Sequence, residues 1–105
     1  MLTTAWVYIV TNKNNTTFHV GVTDNLPTML WEQRTKQDAG CTARYNLSKL
    51  IFYEGFESNE DAIERGKYIK CKTHKWKEEL IKTINAGWKD LAERISLNIT
   101  PPFIF

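Results

Sequence analysis

Residues 6–23 read Trp-Val-Tyr-Ile-Val-Thr-Asn-Lys-Asn-Asn-Thr-Thr-Phe-His-Val-Gly-Val-Thr, and the architecture of the chain is organised around them. Two runs rich in β-branched and aromatic residues, 6–11 and 17–23, flank a polar turn rich in asparagine. Such runs favour pleated strands, and asparagine tolerates the positive φ that tight hairpin loops require. The segment therefore predicts two antiparallel strands joined by a short loop.

Beyond the hairpin, the sequence predicts one more strand and several helices. Asp24 or Asn25 can cap a helix that has Pro27 in its first turn, whereas residues 35–46 show no period and are assigned to a loop. Residues 47–55 are most apolar at their centre, which favours an interior strand. Ser58 starts a helix that runs to about residue 71, and helices over 74–84 and 88–95 follow. The buried stripes predicted for the first two of these helices are Ala62, Ile63, Tyr68 and Ile69, then Trp76, Leu80, Ile81 and Ile84.

Length and composition predict one soluble, cytoplasmic domain. The chain has 105 residues, 42% of them hydrophobic and 25% charged, which is ordinary for a globular protein. Cys41 and Cys71 lie far apart without metal-site spacing, so we expect reduced thiols. A secretory signal pattern and an apolar run of about 20 residues are both absent from the sequence, which argues against a membrane partner. The net charge of +2 gives only weak support for nucleic-acid binding.

Short motifs in a fixed order give the chain a resemblance to a known family. Val7-Tyr8-Ile9 and His19-Val20-Gly21 correspond to its two signatures. The later matches are Val22-Thr23, Leu30-Trp31-Glu32, Gly40, Thr42, Arg44-Tyr45, residues 50–54, Asp61-Ala62-Ile63, Lys67, Trp76-Lys77, Ile84-Asn85 and Trp88-Lys89-Asp90-Leu91. In these motifs the chain resembles the GIY-YIG nuclease superfamily, in particular its small single-domain bacterial members. The resemblance implies an α+β fold with a three-stranded antiparallel sheet flanked by helices. Residues 1–95 would form this domain and residues 96–105 a C-terminal tail.

The resemblance also implies a catalytic site that cuts DNA phosphodiesters with one divalent metal, and this sequence keeps that site only in part. Tyr8 matches the tyrosine of the first signature. His19 replaces the second tyrosine, and its imidazole can still act as a base near neutral pH. The other positions of this vestigial site are Gly21, Met29 in place of arginine, Gln33 in place of histidine, and Gly66 in place of the metal-binding glutamate.

These replacements predict impaired cleavage. Methionine cannot pair with a phosphate, and glycine offers none of the carboxylate oxygens that a magnesium-type ion needs. Glu64 lies about 200° around the helix from position 66, so it cannot take over. No metal or other cofactor is expected, and Mg²⁺ is implied only if cleavage survives. Gly66 itself has two open interpretations: either another element packs closely against it, or the position drifted after losing its function.

A basic cluster follows the vestigial site, made of Lys67, Lys70, Lys72, His74, Lys75 and Lys77. It is either a solvated helical face balanced by Glu78 and Glu79 or a surface that tracks phosphates. Under the second interpretation the nucleic-acid contacts are Arg44, Lys67, Lys70 and Lys75. Three tryptophans, Trp31, Trp76 and Trp88, are interpreted as core residues rather than base-stacking platforms.

Three functions remain open at this point, so the sequence does not decide whether the chain is an enzyme. The favoured hypothesis is a GIY-YIG-like domain that has lost efficient cleavage and binds DNA. The first alternative is an active metal-dependent endonuclease with rearranged residues, including Tyr8, His19 and Arg44. The second is a protein-interaction module, in which the neutralised cleft or the tail residues Phe103 and Phe105 take a protein partner or a second copy of the chain.

Overall fold

The computed structural model describes residues 3–29 and 49–91. In these ranges the elements are the strands β1 (Ala5–Thr11), β2 (Phe18–Thr23) and β3 (Lys49–Phe56), followed by the helices α1 (Asn59–Lys70) and α2 (His74–Ile84). Residues 26–29 are helical and begin the helix predicted after the hairpin. The strands form one antiparallel sheet in the order β2-β1-β3, which confirms the predicted α+β class. No helix within the described ranges is long and apolar enough to cross a membrane.

The hairpin loop is held by the side chain of Asn12. Its Oδ1 accepts hydrogen bonds from the backbone N–H groups of Thr16 at 2.8 Å and Thr17 at 3.2 Å. Asn15 adopts φ of 57°, a conformation that asparagine tolerates better than most residues. The asparagine-rich turn predicted from the sequence is thereby confirmed.

The central strand is β1, and β3 lies at an edge of the described sheet. The predicted interior position of residues 47–55 is therefore wrong for residues 49–55, the part that the structure describes. Among the described strands β3 pairs with β1 alone. Ile51 and Phe52 are nevertheless buried, because their side chains pack in one core with residues of α1 and α2. An apolar strand centre can be buried by helices on the sheet face as well as by strands on both sides.

A β-bulge interrupts the pairing of β1 with β3. Ile9 lies opposite Phe52 and Val10 opposite Leu50, so Ile51 is the extra residue. The buried side chain of Asn85 donates from Nδ2 to the Ile51 carbonyl at 3.1 Å. The side chain therefore satisfies a carbonyl at the irregularity of the ladder.

The chain after α2 runs alongside β3 instead of forming the helix predicted for residues 88–95. Asp90 Oδ1 accepts a hydrogen bond from the Leu50 N–H at 3.1 Å, and the Leu91 N–H donates to the Leu50 carbonyl at 2.7 Å. Trp88 has φ of 55°, which is incompatible with a right-handed helix. The prediction is wrong for residues 88–91, because hydrogen bonds to β3 replace those within a helix. Residues 92–95 lie outside the described ranges.

Helix α1 begins at the predicted cap Ser58, and α2 begins after Thr73, a cap that was not predicted from the sequence. Ser58 Oγ accepts from the Asp61 N–H at 3.3 Å, and Thr73 Oγ1 accepts from the Trp76 N–H at 3.1 Å. The predicted stripes are only partly correct. Ala62, Ile69 and Ile81 are buried, but Ile63, Tyr68 and Ile84 are 46%, 49% and 50% exposed. In α1 the buried positions are Ala62, Gly66 and Ile69, at the i, i+4, i+7 spacing of a single helix face that the glycine completes.

Candidate functional site

Tyr8, His19 and Gly21 lie on one face of the hairpin. Tyr8 pairs with Gly21 and Val10 with His19, and directly paired residues share a face. The Tyr8 and His19 ring centroids are 6.2 Å apart. Tyr8 is buried and lies directly over Gly21: a Cβ at that glycine would overlap the phenol and come within 2.8 Å of Cε2. The glycine of the second signature is therefore required for the tyrosine of the first to take this position.

Met29 reaches the same face through the helix that follows the hairpin. Asn25 caps that helix, with its Oδ1 accepting from the Thr28 N–H at 3.1 Å and its carbonyl accepting from the Met29 N–H at 3.0 Å. The half-buried Met29 side chain packs against the cluster that contains Tyr8 and Leu26. An apolar thioether thus lies near the tyrosine where the resemblance implies an arginine, and it supplies no charge for a phosphate.

Gly66 approaches the sheet from the opposite face. Its neighbour is Val22, which pairs with Val7 and so points away from the face that carries Tyr8. A Cβ built on Gly66 would come within 2.9 Å of Val22 Cγ2, closer than such carbons normally approach. Of the two interpretations that the sequence left open, close packing by another element agrees with this contact.

A groove of about 270 Å³ lies at the edge of β2, where the two faces meet. We call it the β2 groove; its lining residues are Val20, Gly21, Val22, Ile63, Gly66, Lys67 and Lys70. Gly21 connects the groove to Tyr8, which covers that glycine on the other face of the hairpin. The structure thus brings Tyr8, His19 and Met29 together on one face and places Gly66 against the opposite face, with Gly21 bordering both the Tyr8 ring and the β2 groove.

The lining of the β2 groove does not fit a magnesium-type cation. Such ions take carboxylate and carbonyl oxygens, whereas the side chains here are apolar groups and the two ammonium groups of Lys67 and Lys70. Within residues 3–29 and 49–91 there is also no group of three or more His, Cys, Asp or Glu side chains that could hold a metal ion. Glu64 lines a different depression, together with Tyr68 and Cys71. The groove chemistry suits an anion instead.

The predicted nucleic-acid contacts do not all lie together. Lys67 and Lys70 line the β2 groove, whereas Lys75 lies on α2 beside Trp76 and Glu79. Arg44 and Gln33 lie outside the described residues. Sequence reasoning missed Val22 and Ile63 as groove residues, because only the strand register and the packing of α1 bring them to this edge. Trp76 and Trp88 pack partly buried against the core, as predicted, and Trp31 is outside the described residues.

Comparison with known proteins agrees with this architecture. The model of the GIY-YIG catalytic domain matches residues 4–79. A UPF0213 protein of Clostridium perfringens is 32% identical over 97 residues, which cover 88% of this chain and 98% of that protein. No solved structure gives a significant match. The matched region includes the hairpin with Tyr8 and His19, helix α1 with Gly66, and the first half of α2. The chain therefore belongs to the GIY-YIG family.

Proposed function

We propose that this GIY-YIG domain binds nucleic acid, in the first instance DNA, through the β2 groove and does not cleave it efficiently. One observation carries the proposal: Val22 packs against Gly66, where the family resemblance implies a metal-binding glutamate, and two lysines line the same groove. The groove therefore presents cations where the resemblance implies a carboxylate. Lys67 and Lys70 contact the phosphates directly, without a bridging metal.

Phosphodiester cleavage depends on positioning and on stabilising the charge that develops at the phosphate. Met29 supplies no positive charge on the Tyr8 face, and the groove residues that the structure describes offer no carboxylate for a divalent cation. Tyr8 and His19 still lie near each other, but proton transfer alone contributes only about 10²- to 10⁴-fold to a reaction rate. These features support binding without efficient turnover.

Binding is tested by fluorescence anisotropy with a labelled duplex at about 50 and 200 mM salt, a range in which phosphate contacts are strongly weakened. Each lysine that contacts a phosphate adds about one unit to the slope of log affinity against log salt. We therefore expect Lys67→Gln/Lys70→Gln to lower the slope by about two. The matched control, Lys13→Gln/Lys82→Gln, removes the same charge from exposed positions outside the groove lining and leaves the slope nearly unchanged. Failure of the wild type to bind duplex or flap DNA at the lower salt refutes the nucleic-acid function.

Cleavage is tested by incubating plasmid and branched DNA with Mg²⁺ or Mn²⁺, with EDTA as the control. We expect no more nicking with metal than with EDTA. Nicking that EDTA abolishes and that His19→Ala also abolishes would instead establish the active-nuclease alternative. The protein-interaction alternative is tested separately, by measuring the oligomeric state of the full chain and of a chain that lacks residues 99–105.

A further inference from the structure

An exposed aromatic ring flanked by cations lies on α1, outside the lining of the β2 groove. Tyr68 is 49% exposed. Lys72 Nζ lies 4.3 Å and Arg65 Cζ 5.6 Å from the centre of its ring, and the Trp76 ring meets it edge-on at 5.7 Å. We call these four residues the Tyr68 cluster. It presents one large ring to solvent, with the Arg65 guanidinium on α1 and the Lys72 ammonium just after α1 close to the ring.

The cluster is anchored on the side away from solvent. Trp76 packs partly buried against the core that holds α1 and α2 on the sheet. Arg65 donates from Nε to Glu54 Oε1 at 3.0 Å, which ties its guanidinium to β3. Lys72 also lies 5.6 Å from the Trp76 ring. The ring of Tyr68 is therefore positioned by neighbours that are themselves held by the fold.

The Tyr68 cluster is continuous with the β2 groove through Lys67. A depression of about 390 Å³ beside Tyr68 is lined by Glu64, Lys67, Tyr68, Cys71 and Lys72, and Lys67 also lines the groove. Among the described residues that line it, Glu64 is the one carboxylate, against the two ammonium groups of Lys67 and Lys72. A chain of negative charges lying in the groove thus has a path across α1 to the exposed ring.

We infer that Tyr68 stacks an unpaired base of a nucleic acid strand that leaves the β2 groove, so that the preferred partner is a duplex with a single-stranded tail. The inference rests on the proposed function, since it extends the same bound strand. Aromatic rings interleaved with cations match a polymer in which bases alternate with phosphates. Base stacking on an aromatic ring outweighs a cation–π contact at an exposed site. A base can therefore displace Lys72 from the ring, and the released ammonium then meets the adjoining phosphate.

The test compares two labelled DNA probes, a blunt duplex and the same duplex with a short oligo-dT tail, in anisotropy titrations with the full chain. We expect the wild type to bind the tailed duplex more tightly. Tyr68→Leu, which keeps an apolar side chain but removes the ring, should weaken tailed binding about tenfold and change blunt binding less than twofold. Tyr68→Phe keeps the ring and should bind both probes as the wild type does. Lys72→Gln should lower the salt slope by about one unit for the tailed probe only.

The outcomes separate this inference from the proposed function. Equal binding of both probes by the wild type, or unchanged tailed binding by Tyr68→Leu, overturns the inference and leaves the β2 groove assignment standing. Equal weakening of both probes by Tyr68→Leu, with a lowered melting temperature, assigns Tyr68 to helix packing and also overturns it. A tail preference that depends on Tyr68 and survives in Tyr68→Phe supports it. Absence of binding to either probe refutes the inference and the proposed function together.

Discussion

Replacing Asn85 should destabilise the domain strongly, because its side chain joins two segments that are distant in sequence. The residue is only 6% exposed. Its Nδ2 donates to the carbonyls of Ile51 at 3.1 Å and Lys89 at 2.8 Å, and its Oδ1 accepts from the Lys89 N–H at 3.0 Å. One amide group therefore satisfies the carbonyl at the β-bulge and closes the turn after α2.

The magnitude follows from the groups that Asn85→Ala leaves unpaired. A buried polar group without a partner costs about 1–3 kcal/mol, and the Ile51 carbonyl lies at a buried position. The two Lys89 backbone groups are nearer to solvent, so water recovers part of their loss. We expect the free energy of unfolding to fall by about 3 kcal/mol, and the melting temperature of a domain of this size to fall by roughly 10–20 °C.

Urea denaturation followed by circular dichroism measures this loss, with Asn14→Ala as the matched control. Asn14 is exposed in the hairpin turn, and its replacement should change the unfolding free energy by less than about 0.5 kcal/mol. A loss of under about 1 kcal/mol in Asn85→Ala would refute the reasoning, since it would show that the three hydrogen bonds are dispensable or fully replaced by water.

Asn85→Asp separates the hydrogen bonds from the shape of the side chain. The carboxylate keeps an acceptor for the Lys89 N–H. Its second oxygen, however, would face the Ile51 and Lys89 carbonyls, to which Nδ2 donates in the wild type. Burial and these carbonyl dipoles raise the pKa of the new carboxyl above its unfolded value of about 4. The folded state then binds its proton more tightly, so the deficit relative to the wild type should be smallest at acid pH and grow as the pH rises through the folded pKa.

Three further predictions concern the site and the helix that supports it. Gly21→Ala should lower the unfolding free energy by about 1–3 kcal/mol, because the new Cβ would overlap the Tyr8 ring. The displaced ring should change the near-ultraviolet circular dichroism spectrum. An unchanged spectrum with unchanged stability would contradict the packing of the ring on the glycine. Gly66→Ala should raise the unfolding free energy by about 1 kcal/mol in a Val22→Ala background, because the helix propensity of alanine is then unopposed by the side chain of Val22. In the wild type, where a Cβ at position 66 would come within 2.9 Å of Val22 Cγ2, the gain should be clearly smaller. If urea denaturation gives the same effect of Gly66→Ala in both backgrounds, the contact has no energetic consequence. Thr73→Ala should lower the unfolding free energy by about 1 kcal/mol, because the hydroxyl that caps α2 is lost, and Thr73→Ser should retain most of the wild-type stability. Equal thermal stability of the two variants would show that the hydroxyl does not stabilise the helix.

The predictions that succeeded concern local structure and motif order. The hairpin, its asparagine-rich loop and the cap at Ser58 depend on residues a few positions apart, whose hydrogen bonds form within one turn or loop. The family followed from short motifs that match in order along the chain, and the family comparison confirms it. Methionine at position 29 and glycine at position 66 can be read directly from the sequence, and the family resemblance implies an arginine and a glutamate there.

The predictions that failed concern contacts between distant segments. Periodicity alone allowed Ile63 and Tyr68 to be buried, but the packing of α1 on β2 buries Gly66 instead and leaves both large side chains exposed. The helix expected at residues 88–91 is replaced by hydrogen bonds to Leu50, some forty residues earlier. Nothing in the apolar content of residues 47–55 distinguishes burial under helices from burial between strands.

The sequence by itself determined the hairpin, the third strand, the Ser58 cap and the family that the chain resembles, because these depend on residue type, motif order and short-range hydrogen bonding. Only the tertiary structure decided that β1 is central, that Asn85 satisfies the bulge, and that Val22 fills the space beside Gly66. It also decided that Lys67 connects the β2 groove to the Tyr68 cluster. The physical reason is that side chains far apart in sequence become neighbours only through strand register and through the face that each helix turns to the sheet.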